Sequence, residues 1–174
     1  MRRVSLNERL AQDAEATAEI YVALFYIDHP QLDAPIRLST DNTERLSDDP
    51  LMYGTRSTWM NSKPQKEPFL FVLASAVIPS DLEDAPAAGS FILENVDNEI
   101  AKLLRSFTNL ATLHLAIVLA SSPNLVEAEF RDMKITSADI DAGEVTIEFS
   151  REDIEDEKYP NGRMTKDRFP GLHR

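Results

Sequence analysis

Three histidines, His29, His114 and His173, are the side chains best suited to proton transfer or metal binding near neutral pH. They lie far apart in the sequence, whereas zinc ligands usually come in closely spaced pairs. The chain has no cysteine, which excludes disulfides, thiolate nucleophiles and thiolate–zinc sites. The sequence therefore predicts neither a metal site nor a histidine-based catalytic site.

Two acidic segments could attract a hard cation. Residues 139–143 (DIDAG) begin like a calcium loop, but the glycine falls at the fifth position of the loop instead of the sixth, so a hairpin turn is favoured. Residues 152–157 (EDIEDE) could gather a cation loosely, although a solvated run of charges is the commoner case. Because no phosphate-binding glycine loop or nucleophile elbow is visible either, we predict that the protein is not an enzyme and has no cofactor.

The elements that would position such residues are mostly strands. Residues 19–27 (EIYVALFYI) have apolar side chains on both faces, which predicts a strand covered on both sides. Residues 144–149 (EVTIEF) alternate cleanly, which predicts a strand with Val145, Ile147 and Phe149 on one face. Further strands are predicted at residues 36–40, 69–78, 89–96, 112–119 (with Leu113, Leu115 and Val118 as core candidates), 124–130 and 132–135.

Two helices and one irregular segment complete the prediction. Residues 7–17 predict a short surface helix with Asn7 as its cap, and residues 97–107 predict a longer, packed helix with an apolar stripe. Residues 43–66 are polar and lack periodicity, so we expect a long irregular excursion. Together the elements predict a mainly β fold of the α+β class: an antiparallel β-sandwich or barrel with one packed α-helix and a short N-terminal helix.

Charge and hydropathy restrict the partners. The formal net charge is −12, from 30 acidic and 18 basic residues, so most of the surface would repel nucleic acid. The longest apolar stretches are too short for a membrane helix and have no signal-peptide layout. We therefore expect a protein made in the cytoplasm, with no sequence-specific nucleic acid as partner and no membrane insertion.

The last sixteen residues differ from the rest. Residues 159–174 (YPNGRMTKDRFPGLHR) are basic, follow the acidic run and have prolines and glycines at a spacing that excludes a regular helix or a central strand. A frayed tail is the alternative, but a solvated tail has no need of large apolar side chains. We interpret the segment as a docking arm that follows a single domain, residues 1–158. Its candidate docking residues are Tyr159, Arg163, Arg168, Phe169, Pro170 and Leu172.

Several short motifs along the chain resemble those of a phage minor tail protein family, found in siphophages and prophages, whose biochemical activity is unassigned. The matching segments are 28–30 (DHP), 34–37 (APIR), 94–100 (ENVDNEI), 119–123 (LASSP), 159–163 (YPNGR) and 168–172 (RFPGL). They cover about residues 19 to 172, and the terminal motif is the most specific. Residues 43–66 match nothing in that pattern.

The resemblance implies a structural role in the virion, at the distal end of a phage tail. Residues 1–158 would be a hub-like domain that forms a ring between the tail tube and the hub or fibre complex. The expected partners are copies of itself, six with three as the alternative, and the adjacent tail tube and hub proteins. Two alternatives remain open: an assembly factor that leaves the finished particle, or a tail-associated hydrolase or ligand-binding β-barrel.

Overall fold

A computed structural model describes residues 4–78, 88–94, 110–141 and 144–151, together with Arg168 and Gly171. One short helix, α1 (Leu6–Asp13), precedes the strands, and a 3₁₀ turn (Trp59–Asn61) lies between two of them. The strands are β1 (Tyr21–Asp28), β2 (Ile36–Ser39), β3 (Glu44–Asp48), β4 (Leu51–Thr55), β5 (Phe69–Phe71), β6 (Leu73–Val77), β7 (Ala88–Glu94), β8 (Thr112–Leu119), β9 (Ser122–Ile140) and β10 (Glu144–Ser150). The predicted mainly β, α+β class with a short N-terminal helix is confirmed.

All these strands belong to one sheet, in the order β3-β4-β5-β2-β1-β8-β9-β10-β7-β6. Of the described pairings, only that of β2 with β5 is parallel. Strands β5 and β6 are separated by Val72 alone, whose amide donates to the carbonyl of Ser39, the last residue of β2 (2.9 Å). One extended stretch therefore joins two distant positions of the sheet order.

The sheet curls into a barrel. Phe25 of β1 and Phe91 of β7 have ring centroids 4.7 Å apart, although β7 is the fourth neighbour of β1 in the sheet order. Adjacent strands are about 4.8 Å apart, so a flat sheet would separate these two strands by roughly 19 Å. The contact is possible only because the strands between them bend around a common interior. This is the barrel alternative of the predicted architecture.

The barrel interior is the main core. Phe25, Phe91 and Phe149 stack in it, with centroid distances of 4.7 and 5.9 Å between successive rings. The predicted inward face of β10, Val145, Ile147 and Phe149, is buried there, which confirms the alternation in residues 144–149. Aliphatic side chains from β1, β2, β7, β8 and β9 fill the remaining space: Ile27, Leu38, Leu93, Leu113, Leu115, Met133 and Ile135.

The outer face of β1 and β8 is covered as well. Val22 and Leu24 point away from the barrel interior and pack with Trp59, Phe69 and Val118 in a second buried cluster. The prediction of a strand covered on both sides is confirmed from Val22 to Ile27, whereas β1 begins only at Tyr21, and Ile20 and Tyr21 are 54% and 49% exposed. Of the core residues predicted in β8, Leu113 and Leu115 face the barrel interior, whereas Val118 belongs to this outer cluster.

The structure corrects three details of the predicted elements. Residues 43–66 are not irregular throughout, because they contain β3, β4 and the 3₁₀ turn. The strand predicted at residues 69–78 is two strands, since the chain changes partner from β2 to β7 at Val72. Helix α1 begins one residue earlier and ends four residues earlier than predicted, and it is capped by Ser5, whose hydroxyl accepts from the Glu8 amide, rather than by Asn7. The helix predicted at residues 97–107 lies outside the described residues.

Candidate functional site

The hairpin of β3 and β4 carries apolar side chains that the fold does not bury. Leu51 and Tyr53 are 55% and 39% exposed on one face of β4, and Met52 is 36% exposed on the other. Leu70 of β5 shares the face of Met52, because it lies opposite Gly54 in the ladder, and it is 39% exposed. We call Leu51, Met52, Tyr53 and Leu70 the hairpin surface.

The hairpin is held rigidly at its base. The Ser39 and Thr55 hydroxyls are hydrogen-bonded at 2.7 Å in a buried position, and the Ser39 hydroxyl also accepts from the Asp41 amide. Arg56 forms an ion pair with Glu44 across the ends of the two strands. A buried polar network of this kind fixes the angle at which the hairpin leaves the barrel.

Gly54 lets β4 lie against β5. Its φ is +156°, and a Cβ at this position would overlap the backbone carbonyl of Phe69 and lie 2.9 Å from Leu46 Cδ1. Glycine is the residue that allows both this backbone conformation and this close approach. The base of the hairpin therefore depends on the absence of a side chain at one position.

A second feature is a cavity of about 770 Å³ at one mouth of the barrel, partly open to solvent. Its apolar wall is built largely of small side chains from three strands, Ala23, Ala74, Ala76 and Ala128. Alanines occupy this end of the interior, whereas the three phenylalanines fill the rest, and the difference in side-chain volume leaves the space open. We call this space the mouth cavity.

Helix α1 lies against the mouth cavity with its polar face inward. Glu8 and Gln12 line the cavity, and Glu8 is only 3% exposed, whereas Leu6 and Leu10 are 72% and 62% exposed. A surface helix ordinarily buries its apolar stripe and exposes its charges. The orientation of α1 is the reverse, so polar contacts hold this helix on the barrel.

Those contacts converge on two glutamates. The Ser5 amide donates to Glu127 Oε2 at 2.6 Å, and Gln12 Nε2 donates to Glu8 Oε1 at 2.9 Å. The Tyr21 hydroxyl donates to the same oxygen of Glu8 at 3.4 Å. Glu127, which is 2% exposed, also lines the cavity. One side of the mouth cavity is therefore lined by two buried acidic side chains.

Hydrogen bonds favour the ionised form of Glu127. Burial raises the pKa of Glu127, but hydrogen bonds, chiefly those from the hydroxyl and amide of Ser5, outweigh this effect and hold the pKa below its ordinary value. Glu127 is therefore a buried anion beside the mouth cavity.

Each of the two described histidines accepts a hydrogen bond from a backbone amide. His114 Nδ1 accepts from the Asp132 amide at 3.2 Å, and burial lowers the pKa of its imidazole although the Asp132 charge opposes this shift. His29, also buried, accepts from the Gln31 amide at 3.1 Å through Nδ1. Within the described ranges, no three His, Asp or Glu side chains are grouped so as to hold a metal ion. No helix there is long and apolar enough to cross a bilayer.

Most of the predicted docking arm cannot be placed. Arg168 is described and exposed, as is its neighbour Gly171. Tyr159, Arg163, Phe169, Pro170 and Leu172 lie outside the described residues, as does the acidic run 152–157. The hairpin predicted around residues 139–143 agrees with the antiparallel pairing of β9 and β10, in which Val145 lies opposite Ile140.

Comparison with models of known protein families finds no match to this sequence, and comparison with curated proteins finds none either. The resemblance to a phage minor tail protein family therefore stays a prediction. It depends on the short motifs alone.

Sequence reasoning missed both features of the surface. Leu51, Met52 and Tyr53 form an apolar tripeptide within a polar segment, and this was the one available signal for the hairpin surface. The Glu8–Glu127 pair had no signal, because the two glutamates are brought together by the fold across most of the chain.

Proposed function

We propose that the protein is a structural subunit of a phage tail tip, which forms a ring that joins the tail tube to the distal hub or fibre complex. The motif resemblance over residues 19–172 suggests the assembly, and the hairpin surface is the structural observation that supports it. A protein whose activity is assembly needs surfaces that are complete only in the presence of a neighbour.

The hairpin surface has the character of an interface. Exposed apolar residues lie on both of its faces, Leu51 and Tyr53 on one and Met52 and Leu70 on the other. The residues of β3 that lie opposite them are polar: Arg45, Ser47 and Asp48. The exposed apolar side chains are therefore concentrated on β4 and β5, and because β4 presents them on both of its faces, it is suited to contact with two neighbouring bodies.

Strand β3 adds a second means of association. In the part of the sheet that the structure describes, β3 pairs with β4 and stands at the end of the strand order. An edge strand offers unpaired amide and carbonyl groups to another chain. Contact between this edge or the hairpin surface and a different patch of the next copy would be heterologous, and such contacts form a ring when the rotation between copies closes.

The ring would have six copies, with three as the alternative, and the basic arm, residues 159–174, would dock on a neighbouring subunit or ring. The net charge of −12 suits a ring through which DNA passes without binding.

The test is to replace the hairpin surface by charge and to follow particle assembly. Leu51→Glu with Tyr53→Glu should leave a folded monomer, since both side chains are exposed, but should prevent infectious particles from forming in a complementation assay. Leu125→Glu is the matched control, because Leu125 is 51% exposed on β9, away from the hairpin. Normal particle yield with the double variant would contradict the proposal.

Imaging of purified particles separates the alternatives. Six or three copies at the tail tip would support the ring, and absence of the protein from infectious particles would favour an assembly factor. The mouth cavity is the observation that favours the remaining alternative, a ligand-binding β-barrel.

A further inference from the structure

The mouth cavity combines an apolar wall with one acidic side. Ala23, Ala74 and Ala76 form part of the wall, and Ile117 and Phe130 extend it. The volume, about 770 Å³, is within the usual range of about 300–1,000 Å³ for small-molecule sites. An occupant of this space would bury an apolar chain against the alanines and present its polar end to the glutamates.

On the acidic side of the cavity, one carboxylate oxygen lacks a hydrogen-bond donor among the described residues. Glu127 Oε1 is buried and accepts no hydrogen bond from an N–H or O–H donor of the described residues. The other oxygen, Oε2, accepts from the Ser5 amide. The carboxyl group therefore cannot rotate to bring Oε1 to that amide without loss of the bond to Oε2. A buried carboxylate oxygen in this position is stabilised by a proton or by a cation that brings its own N–H group.

We propose that the mouth cavity binds an alkylammonium group, an unbranched apolar chain that ends in a primary ammonium. The ammonium donates to Glu127 Oε1, and its positive charge compensates the charge of the buried carboxylate. The inference is independent of the role in a phage tail.

The other charged and titratable groups around the cavity fit this orientation. Glu129 is already engaged, because its Oε1 accepts from Trp59 Nε1 and from Arg131 Nε, both at 2.7 Å. The Tyr21 hydroxyl is directed to Glu8. Arg151, which also lines the cavity, is an exposed cation and would repel an ammonium from its side, so the ammonium is directed to the glutamates.

Two sources could supply this chemistry, a free amine or the lysine side chain of a peptide. Hexylamine is the probe for the first, and an uncharged-end pentapeptide, acetyl-Ala-Ala-Lys-Ala-Ala-amide, is the probe for the second. Tighter binding of the peptide would assign the site to a lysine of a partner protein. Tighter binding of hexylamine would assign it to a small amine.

Isothermal titration calorimetry of the full chain tests the proposal. Hexylamine should bind at least about tenfold more tightly than hexanol or hexanoate, because only the ammonium makes a charge-assisted hydrogen bond.

Two variants probe the two sides of the site separately. Glu127→Gln removes the carboxylate and should weaken hexylamine binding at least about tenfold. Ala76→Leu fills the cavity from β6, away from the carboxyl groups, and should weaken binding of hexylamine without removing the charge. Leu125→Ala, an exposed change on β9 outside the cavity lining, is the control and should bind as the unmodified protein does.

Circular dichroism verifies that each variant is folded. Equal affinity for hexylamine, hexanol and hexanoate in the unmodified protein would overturn the proposal without recourse to a variant. So would undiminished binding by folded Glu127→Gln or by folded Ala76→Leu.

Discussion

The indole nitrogen of Trp59 donates a hydrogen bond to Glu129 Oε1 at 2.7 Å. This bond connects the excursion of residues 43–66 to β9, and the ring of Trp59 meanwhile packs on Phe69 at a centroid distance of 5.8 Å. The hydrogen bonds from Trp59 and Arg131 outweigh the effect of burial and hold the pKa of Glu129 below its ordinary value. One side chain thus covers the outer face of the barrel and fixes the segment that carries the hairpin surface.

Two substitutions of Trp59 should separate the contribution of its hydrogen bond to stability from that of its packing. Trp59→Phe keeps an aromatic ring and loses the hydrogen bond, so the free energy of unfolding should fall by about 1–3 kcal/mol. Trp59→Ala also opens a cavity in the outer cluster and should cost about 3–5 kcal/mol. Urea unfolding measures both, with Leu125→Ala as an exposed control expected within about 0.5 kcal/mol of the unmodified protein. A loss for Trp59→Ala no larger than that of the control would exclude Trp59 from the core.

Gly54→Ala should destabilise the protein by about 2–4 kcal/mol, because the new Cβ would overlap the Phe69 carbonyl in a backbone conformation that alanine rarely adopts. Gly171→Ala is the matched control, since a Cβ added at Gly171 meets nothing within 4 Å. Thermal unfolding of the two variants gives the comparison. Equal melting temperatures would mean that β4 can move away from β5 at no cost.

The stability of the protein should depend on the ionisation of His114. Burial lowers the pKa of its imidazole below the ordinary value of 6.5, so the folded state binds fewer protons there than the unfolded state. This contribution to stability is complete above pH 6.5 and is lost as the pH falls below 6.5 towards the folded-state pKa. His114→Asn retains an acceptor for the Asp132 amide but does not titrate.

Unfolding free energies measured by urea between about pH 7.5 and 5.5 check this prediction. The unmodified protein should lose stability over that range, and His114→Asn should lose less. Parallel pH profiles for the two proteins would contradict it.

Deletion of residues 159–174 should leave a folded protein with a nearly unchanged melting temperature but should abolish particle formation in a complementation assay. Phe169 and Leu172 would be the anchors, each worth roughly 1.5–3 kcal/mol when fully buried on a partner. Infectious particles assembled with the truncated protein would show that the arm is a frayed tail. A truncated protein that fails to fold would place the arm in the core instead.

The strands that could be predicted are those in which burial imposes a pattern. Val145, Ile147 and Phe149 alternate with polar residues because one face of β10 forms the barrel interior, and residues 22–27 are continuously apolar because this part of β1 is covered on both faces. Strand β3 has no such pattern. The burial of its side chains alternates only weakly. Glu44 forms an ion pair with Arg56, and Arg45 is exposed to solvent, so neither packs in a core.

The candidate site could not be predicted from the sequence, for a different reason. Ser5 and Glu127 are 122 residues apart, and their hydrogen bond exists only because β9 passes beneath α1 in the completed barrel. The reversed orientation of α1 also conceals the helix face that matters, since hydropathy would direct Leu6 and Leu10 inward. Polar contacts between distant segments leave no periodicity to detect.

The pairing of β1 with β8 constrains the order of events on the ribosome. Every residue of β1 from Tyr21 to Asp28 has its partner in β8, between Leu119 and Thr112. During translation, roughly 90 further residues must be synthesised before β8 is available to pair with β1, which takes several seconds at ordinary elongation rates. Both apolar faces of β1 are uncovered in that time. The hairpin with β2 protects only one of its edges in that interval. The nascent chain is thus a substrate for chaperones that recognise extended apolar segments, until β8 leaves the exit tunnel.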